Sequence, residues 1–120
     1  MNGTAKLEEV ARVLDAEIIL NPNGGDPDVG MVCGSDLMSD VLAFSRPESL
    51  LLTGLATMQV IYTAEMADIK IICFIRGKKP QPDTVALAQE KKMILLQSRM
   101  PMFESCGRLY DIGLRGCPLP

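Results

Sequence analysis

A single α/β domain is what this sequence predicts, with a mostly parallel sheet of about five strands between helices on both faces. Two observations carry that expectation. Leu50–Leu52 is a continuous apolar run, and Ile69 with Ile71–Ile75 is another. Such runs suit strands covered on both faces, as in a parallel sheet. They stop at Thr53-Gly54 and at Arg76-Gly77. Between them, Thr57–Asp68 places Val60, Ile61, Ala64 and Ala67 at helical spacing, on the side that lies against the sheet. Strand, helix and strand make a βαβ unit, whose crossover is right-handed.

The elements follow in order. Thr4 is positioned to cap a helix running to about Asp15, with Leu7, Val10, Ala11 and Leu14 on one face. Glu17–Leu20 reads as a short strand pairing antiparallel at one edge. Asn21–Asp28, NPNGGDPD, is the strongest turn signal in the chain. Its alternating Asn and Asp oxygens resemble a calcium loop but lack the spacing and terminal Glu of an EF-hand, so a plain connector is expected. Val29–Cys33 is the next strand. Ser35 or Asp36 then caps a helix carrying Leu37, Met38, Val41, Leu42 and Phe44, which puts Asp36 and Asp40 on one helix face. After the central unit, Pro82 fits the first turn of a further helix that buries Val85 and Ala88. Met93–Leu96 is another strand. Ser98 and Pro101 announce a last helix with Phe103, Cys106, Gly107 and Tyr110 along one stripe. The folded domain is read as residues 1–114, and 115–120 as a flexible tail.

Composition narrows the function. The 120 residues are 48% hydrophobic but only 4% aromatic, without Trp, so aliphatic side chains and Met must fill the core. A net charge of −3 gives no general pull toward nucleic acid or anionic lipid. No apolar run approaches the roughly 20 residues that span a bilayer, and the first residues lack the pattern of a signal peptide. A cytoplasmic protein is expected, without nucleic-acid or membrane partners. Cys33, Cys73, Cys106 and Cys117 form no C-x-x-C pair, and the chain has no His. Reduced thiols, no bound metal and no cofactor are therefore expected.

Three places can hold a ligand. At Thr53-Gly54-Leu55-Ala56-Thr57 a strand ends and a helix begins, so N–H groups and the helix dipole favour an anion, although no phosphate-loop motif is present. An ordinary helix entry capped by Thr57 is the simpler reading. Arg76, Lys78 and Lys79 put three cations at the end of the next strand, where a solvated basic loop is the simpler reading. Gly34-Ser35-Asp36 ends a third strand. Parallel strands bring all three to one edge, and ligands of open α/β sheets gather there. Without His there is no Ser-His or Cys-His pair, and no serine sits in a nucleophile elbow, so catalysis is not expected.

The residues Gly34–Leu42, Leu51–Gly54, Ala64–Lys70 and Phe74–Pro80 resemble a stand-alone DRTGG domain, from about residue 5 to 113. Thr53-Gly54 stands where that family has its Asp-Arg, and Ile75-Arg76-Gly77-Lys78 where it has Thr-Gly-Gly. Such domains accompany phosphotransacetylases and pyrophosphatases with cystathionine-β-synthase-type domains, and are related to the N-terminal half of HPr kinase/phosphorylase. The resemblance implies a regulatory or assembly role without enzymatic activity, since the kinase's phosphate loop lies in another domain. The expected function is a non-catalytic sensor of a small anionic metabolite or nucleotide, acting as a homodimer or on a partner protein. The dimer contact is expected around the Thr57–Asp68 helix and near Met100, Met102 and Phe103. The alternatives are a small enzyme using Arg76, Lys78 and Lys79 to clamp a phosphorylated or nucleotide substrate, and a pure assembly adaptor.

Overall fold

In the computed structural model, which describes residues 3–118, the chain begins β1 (Ala5–Lys6), α1 (Leu7–Val13), β2 (Glu17–Leu20), β3 (Asp28–Val29) and β4 (Met31–Gly34). It continues α2 (Met38–Phe44), β5 (Leu50–Thr53), α3 (Met58–Met66) and β6 (Ile71–Phe74). It ends α4 (Pro82–Glu90), β7 (Ile94–Gln97), α5 (Met102–Asp111) and β8 (Arg115–Gly116). The main sheet has six strands in the order β2-β7-β6-β5-β4-β8. Strands β7 to β8 run parallel, and β2 pairs antiparallel with β7 at the edge, as the sequence predicts.

Alternation along the buried strands builds two cores. Leu50, Leu52, Ile71, Cys73, Ile75 and Leu96 pack with Leu7, Val10 and Leu14 of the first helical segment and Leu109 of α5. Leu51, Ile72, Phe74 and Leu95 face the other way, onto Met38, Val41, Val60, Ile61, Ala64 and Ala88 of α2, α3 and α4. Every residue of β5 and β6 is buried, which is why their sequences are apolar without alternation. The result is three layers.

Several expectations give way to contacts distant in sequence. Helix α1 starts at Leu7, because Ala5 and Lys6 are spent pairing with Val29 and Asp28 in a small second sheet. Its first N–H groups are satisfied from the NPNGGDPD loop: Leu7 donates to the Pro27 carbonyl at 2.9 Å and Glu8 to Asp26 Oδ1 at 3.0 Å. That loop is a capping device as well as a connector. The expected Val29–Cys33 strand is split at Gly30 between β3 and β4. On α5, Ser105 and Leu109 are buried while Phe103 is 84% exposed, so of the expected stripe Phe103, Gly107 and Tyr110 point outward and Cys106 alone packs against the core. The sheet does not stop at residue 114: Arg115 and Gly116 pair with Met31 and Val32, completing an edge that β4 leaves open. Residues 119 and 120 of the expected tail lie outside the described residues.

Three helical segments end in the same way. Asp15, Asp68 and Lys92 each follow the C-cap residue with φ of 52°, 58° and 59°, a left-handed position that favours glycine. Among the described residues no helix is long and apolar enough to cross a membrane.

Candidate functional site

Parallel register decides where the three candidate segments meet. Gly34 lies opposite Leu52, and Thr53 opposite Phe74, so the loops after β4, β5 and β6 leave the sheet side by side. Asp36, Gly54 and Arg76 occupy those loops, one or two residues past their strands.

Asp36 is the centre of the arrangement. Its Oδ1 accepts from the Gly54 N–H at 2.6 Å and from the Thr53 hydroxyl at 3.2 Å. Its Oδ2 accepts from Arg76 Nη2 at 2.8 Å. Thr53 Oγ1 accepts in turn from the Leu55 N–H at 3.1 Å, so the first N–H groups after β5 are already occupied. Partial desolvation is the largest single influence on the Asp36 carboxyl and pushes its pKa up. The Gly54 N–H, the Arg76 guanidinium and the Thr53 hydroxyl together outweigh it and hold the carboxyl below its ordinary value.

The Arg76 guanidinium lies against the bare Cα of Gly54, and a Cβ there would displace it. Arg76 itself sits at φ 56° and Gly77 at φ 70°. This turn is held from the loop after β7, which sequence reading did not connect to it. The Arg76 N–H donates to the Met100 carbonyl at 3.0 Å and the Gly77 N–H to the Ser98 carbonyl at 2.9 Å. Buried Ser98 fixes that loop, donating to the Leu14 carbonyl at 2.7 Å and accepting from the Met100 N–H at 3.0 Å. The only sequence signal was a serine just past an apolar strand.

The remaining candidates lie around this centre in different roles. Ser35 Oγ accepts from the Leu37 N–H at 3.0 Å, closing the turn that leads into α2. With α2 starting at Met38, Asp36 is outside the helix, so it shares no helix face with Asp40. Neither Ser35 nor Asp36 is the N-cap, a position held by Leu37, because the Asp36 carboxylate is turned toward Gly54 instead. Thr57 stands at the N-cap of α3 without a side-chain hydrogen bond. Lys78 and Lys79 are exposed and, among the described residues, make no ion pair. Gly34 lets α5 approach, since a Cβ there would lie 3.0 Å from both Cys106 Sγ and Met102 Sδ. Among the described residues no cluster of three acidic or thiol side chains is arranged to hold a metal ion.

A larger cavity, about 430 Å³, lies at the opposite edge between the Asn21–Asp28 loop and Glu48, Lys70 and Lys92. Much of its charge is committed. Lys70 pairs with Asp68 and Asp28 with Lys6, both at 3.1 Å, and Asp26 caps α1. The carboxyl edge, with exposed cations beside an occupied set of donors, is the better candidate for an anion.

No family model matches the chain, and no curated protein matches it. Among solved structures it is similar to the CBS and DRTGG domains of the regulatory region of Clostridium perfringens pyrophosphatase, complexed with the activator diadenosine tetraphosphate. The TM-score is 0.69 at 13% identity, over 89% of this chain and 46% of that one. The likeness is one of fold, and is consistent with a DRTGG-like fold. The matched part of this chain spans less than half the length of that structure.

Proposed function

We propose that this chain is a non-catalytic regulatory module that senses a small anion, a nucleotide or phosphorylated metabolite, at the carboxyl edge of its sheet. The observation that carries this reading is the donor set around Asp36. A backbone N–H, a hydroxyl and a guanidinium converge on one carboxylate, and these are the donors that recognise a phosphate oxygen. Asp36 acts as a built-in anion that the ligand displaces.

Displacement frees Arg76, which works with Lys78 and Lys79 beside it and with the entry to α3 at Thr57. It also releases the Gly34–Asp36 segment, and with Ser35 the turn that starts α2. Occupancy is thereby transmitted to a helix on the surface. The regulatory reading is further supported by the likeness to a solved regulatory region that holds a nucleotide activator. The module works as a homodimer, or on a partner protein, through the outer faces of α2 and α3.

The test is calorimetric titration of the chain with diadenosine tetraphosphate, ATP and inorganic phosphate. Asp36→Ala removes the competitor and is expected to tighten binding about tenfold, equivalent to roughly 1.4 kcal/mol. Arg76→Ala abolishes it. If neither the wild type nor Asp36→Ala binds any of the three, the site is a solvated loop and the reading fails.

A further inference from the structure

The pairing of the last strand aligns two cysteines. Strand β8 joins β4 with Met31 opposite Arg115 and Val32 opposite Gly116. The Arg115 N–H donates to the Gly30 carbonyl at 3.2 Å. Continued one residue further, this register sets Cys33 opposite Cys117. Neighbouring strands lie about 4.8 Å apart, within the roughly 4.4–6.8 Å that separates the Cα atoms of a disulfide.

Opposed residues share a face of the sheet. Cys33 packs against the core under α2, α3 and α4. Just past Cys117, the Pro118 carbonyl accepts from Arg46, two residues beyond α2, at 3.5 Å. Residues 117 and 118 therefore run along the face that Cys33 occupies. Burial pushes the Cys33 thiol up, and the Cys117 sulfur adds to that push, as expected of close neighbours.

We propose that Cys33 and Cys117 form a redox site, a dithiol that a small-molecule disulfide converts into an intramolecular disulfide stapling β8 to β4. The Cys117 thiolate attacks one sulfur of the small disulfide, giving a mixed disulfide and releasing one small thiol. The Cys33 thiolate then attacks the Cys117 sulfur, closing the protein disulfide and releasing the second. The two protons leave with the two released thiols. The protein is oxidised by two electrons and the small disulfide reduced by two.

The other cysteines are set apart. Cys73 is fully buried in β6, where desolvation pushes its thiol up to about 12. Cys106 lies on α5 and packs against the core on the opposite face. Strand β8 also lines a groove of about 190 Å³ with Gly34, Cys106 and Tyr110, so the staple fixes one wall of that groove.

The experiment treats the chain with oxidised glutathione and reads intact mass, peptide mapping and melting temperature. Expected is a product two hydrogens lighter with no glutathione retained, and a single cross-linked peptide joining Cys33 to Cys117. Its melting temperature should rise by at least about 5 °C. Cys106→Ser behaves as the wild type, whereas Cys117→Ser loses both the cross-link and the gain. Cys117 lies at the sheet edge, so this variant keeps the fold, and its melt is compared with that of the reduced wild type. Glutathione held on Cys117, a disulfide involving Cys106 or a second molecule, a cross-link without a melting gain, or no reaction would each overturn the proposal.

Discussion

The Arg76 guanidinium reaches Asp36 across the bare face of Gly54, with Nη2 2.8 Å from Oδ2. Three loops that leave three different strands depend on one another at this point. Gly54 gives the room, Asp36 takes the charge, and Arg76 is aimed by the turn it opens.

Gly54→Ala tests that dependence. The added methyl group meets the flexible end of Arg76 rather than backbone, so the guanidinium moves aside and the ion pair with Asp36 breaks. The two side chains are 38% and 46% exposed, so the cost is expected to be below about 1 kcal/mol. The Asp36 carboxyl should move back toward its ordinary value. Urea unfolding gives the first quantity, and carboxyl titration by NMR the second. A loss of several kcal/mol would mean that the glycine is needed for its backbone instead.

Asp36 also makes stability depend on pH. Its carboxyl lies below the ordinary value of 3.8 in the folded chain. As pH falls, the unfolded chain takes up this proton first, so the contribution is present above about pH 4 and lost on going down through the folded value. Solvent screening keeps it below about 1 kcal/mol at this exposure. Asp36→Asn should therefore flatten the acid limb of the unfolding profile and leave its shape near neutrality unchanged. An unchanged acid limb would separate Asp36 from the effect.

How much of this was legible in sequence depends on the range of the interaction. The central βαβ unit was legible because Leu50–Leu52 and Ile71–Phe74 state their double burial in every residue. The meeting of Gly34-Ser35-Asp36, Thr53-Gly54 and Arg76 at one edge was legible too, since parallel strands leave no other choice. Their pairing was not. Asp36 and Arg76 are 40 positions apart, and nothing local says that the carboxylate will turn toward the arginine instead of capping its own helix. The same holds for α1, whose Glu8 N–H is satisfied by Asp26, 18 positions away, and for β8. Arg115-Gly116 has no strand-forming side chains, and only the open edge of β4 makes it a strand. The outward turn of Phe103 and the capping role of Asp26 follow from packing decided elsewhere in the chain.

Ser98→Ala probes the support behind Arg76. The hydroxyl is buried, donates to the Leu14 carbonyl and accepts from the Met100 N–H. Removing it leaves two backbone groups without that partner, at an expected cost of about 1–3 kcal/mol. Because Met100 also receives the Arg76 N–H, hydrogen exchange at Arg76 and Gly77 should speed up along with the loss of stability. Destabilisation with unchanged exchange there would confine Ser98 to a role in the core.

Lys92→Gly should stabilise the protein. Lys92 holds φ 59° just after α4 and its side chain is exposed. Left-handed backbone costs a residue with a Cβ roughly 1–2 kcal/mol, partly offset by the greater freedom glycine has when unfolded. The expected net gain is about 0.5–1 kcal/mol, read from the urea midpoint at unchanged slope. A loss would show that the lysine side chain contributes more than its backbone strain removes.

The last prediction concerns self-association. The sequence places the contact on the segment around α3 together with that around α5, but these helices cover opposite faces of the sheet and cannot form one patch. Met100 and Met102 are partly buried against the core, so only part of each is open to a second copy. What remains exposed and adjacent is Leu42 and Phe44 on α2 with Met58, Tyr62 and Met66 on α3, Met66 being 68% exposed. Large apolar side chains on two neighbouring helices suit a two-fold contact, in which each copy presents the same face. Sedimentation equilibrium of the wild type at tens of micromolar should give the mass of two chains. Phe44→Ser with Met66→Ser should give one, with little loss of stability because neither side chain is in the core. Phe103→Ser, on the other side of the sheet, should leave the dimer intact. A wild-type monomer mass would remove the dimer, and a dimer broken by Phe103→Ser alone would move the contact to α5.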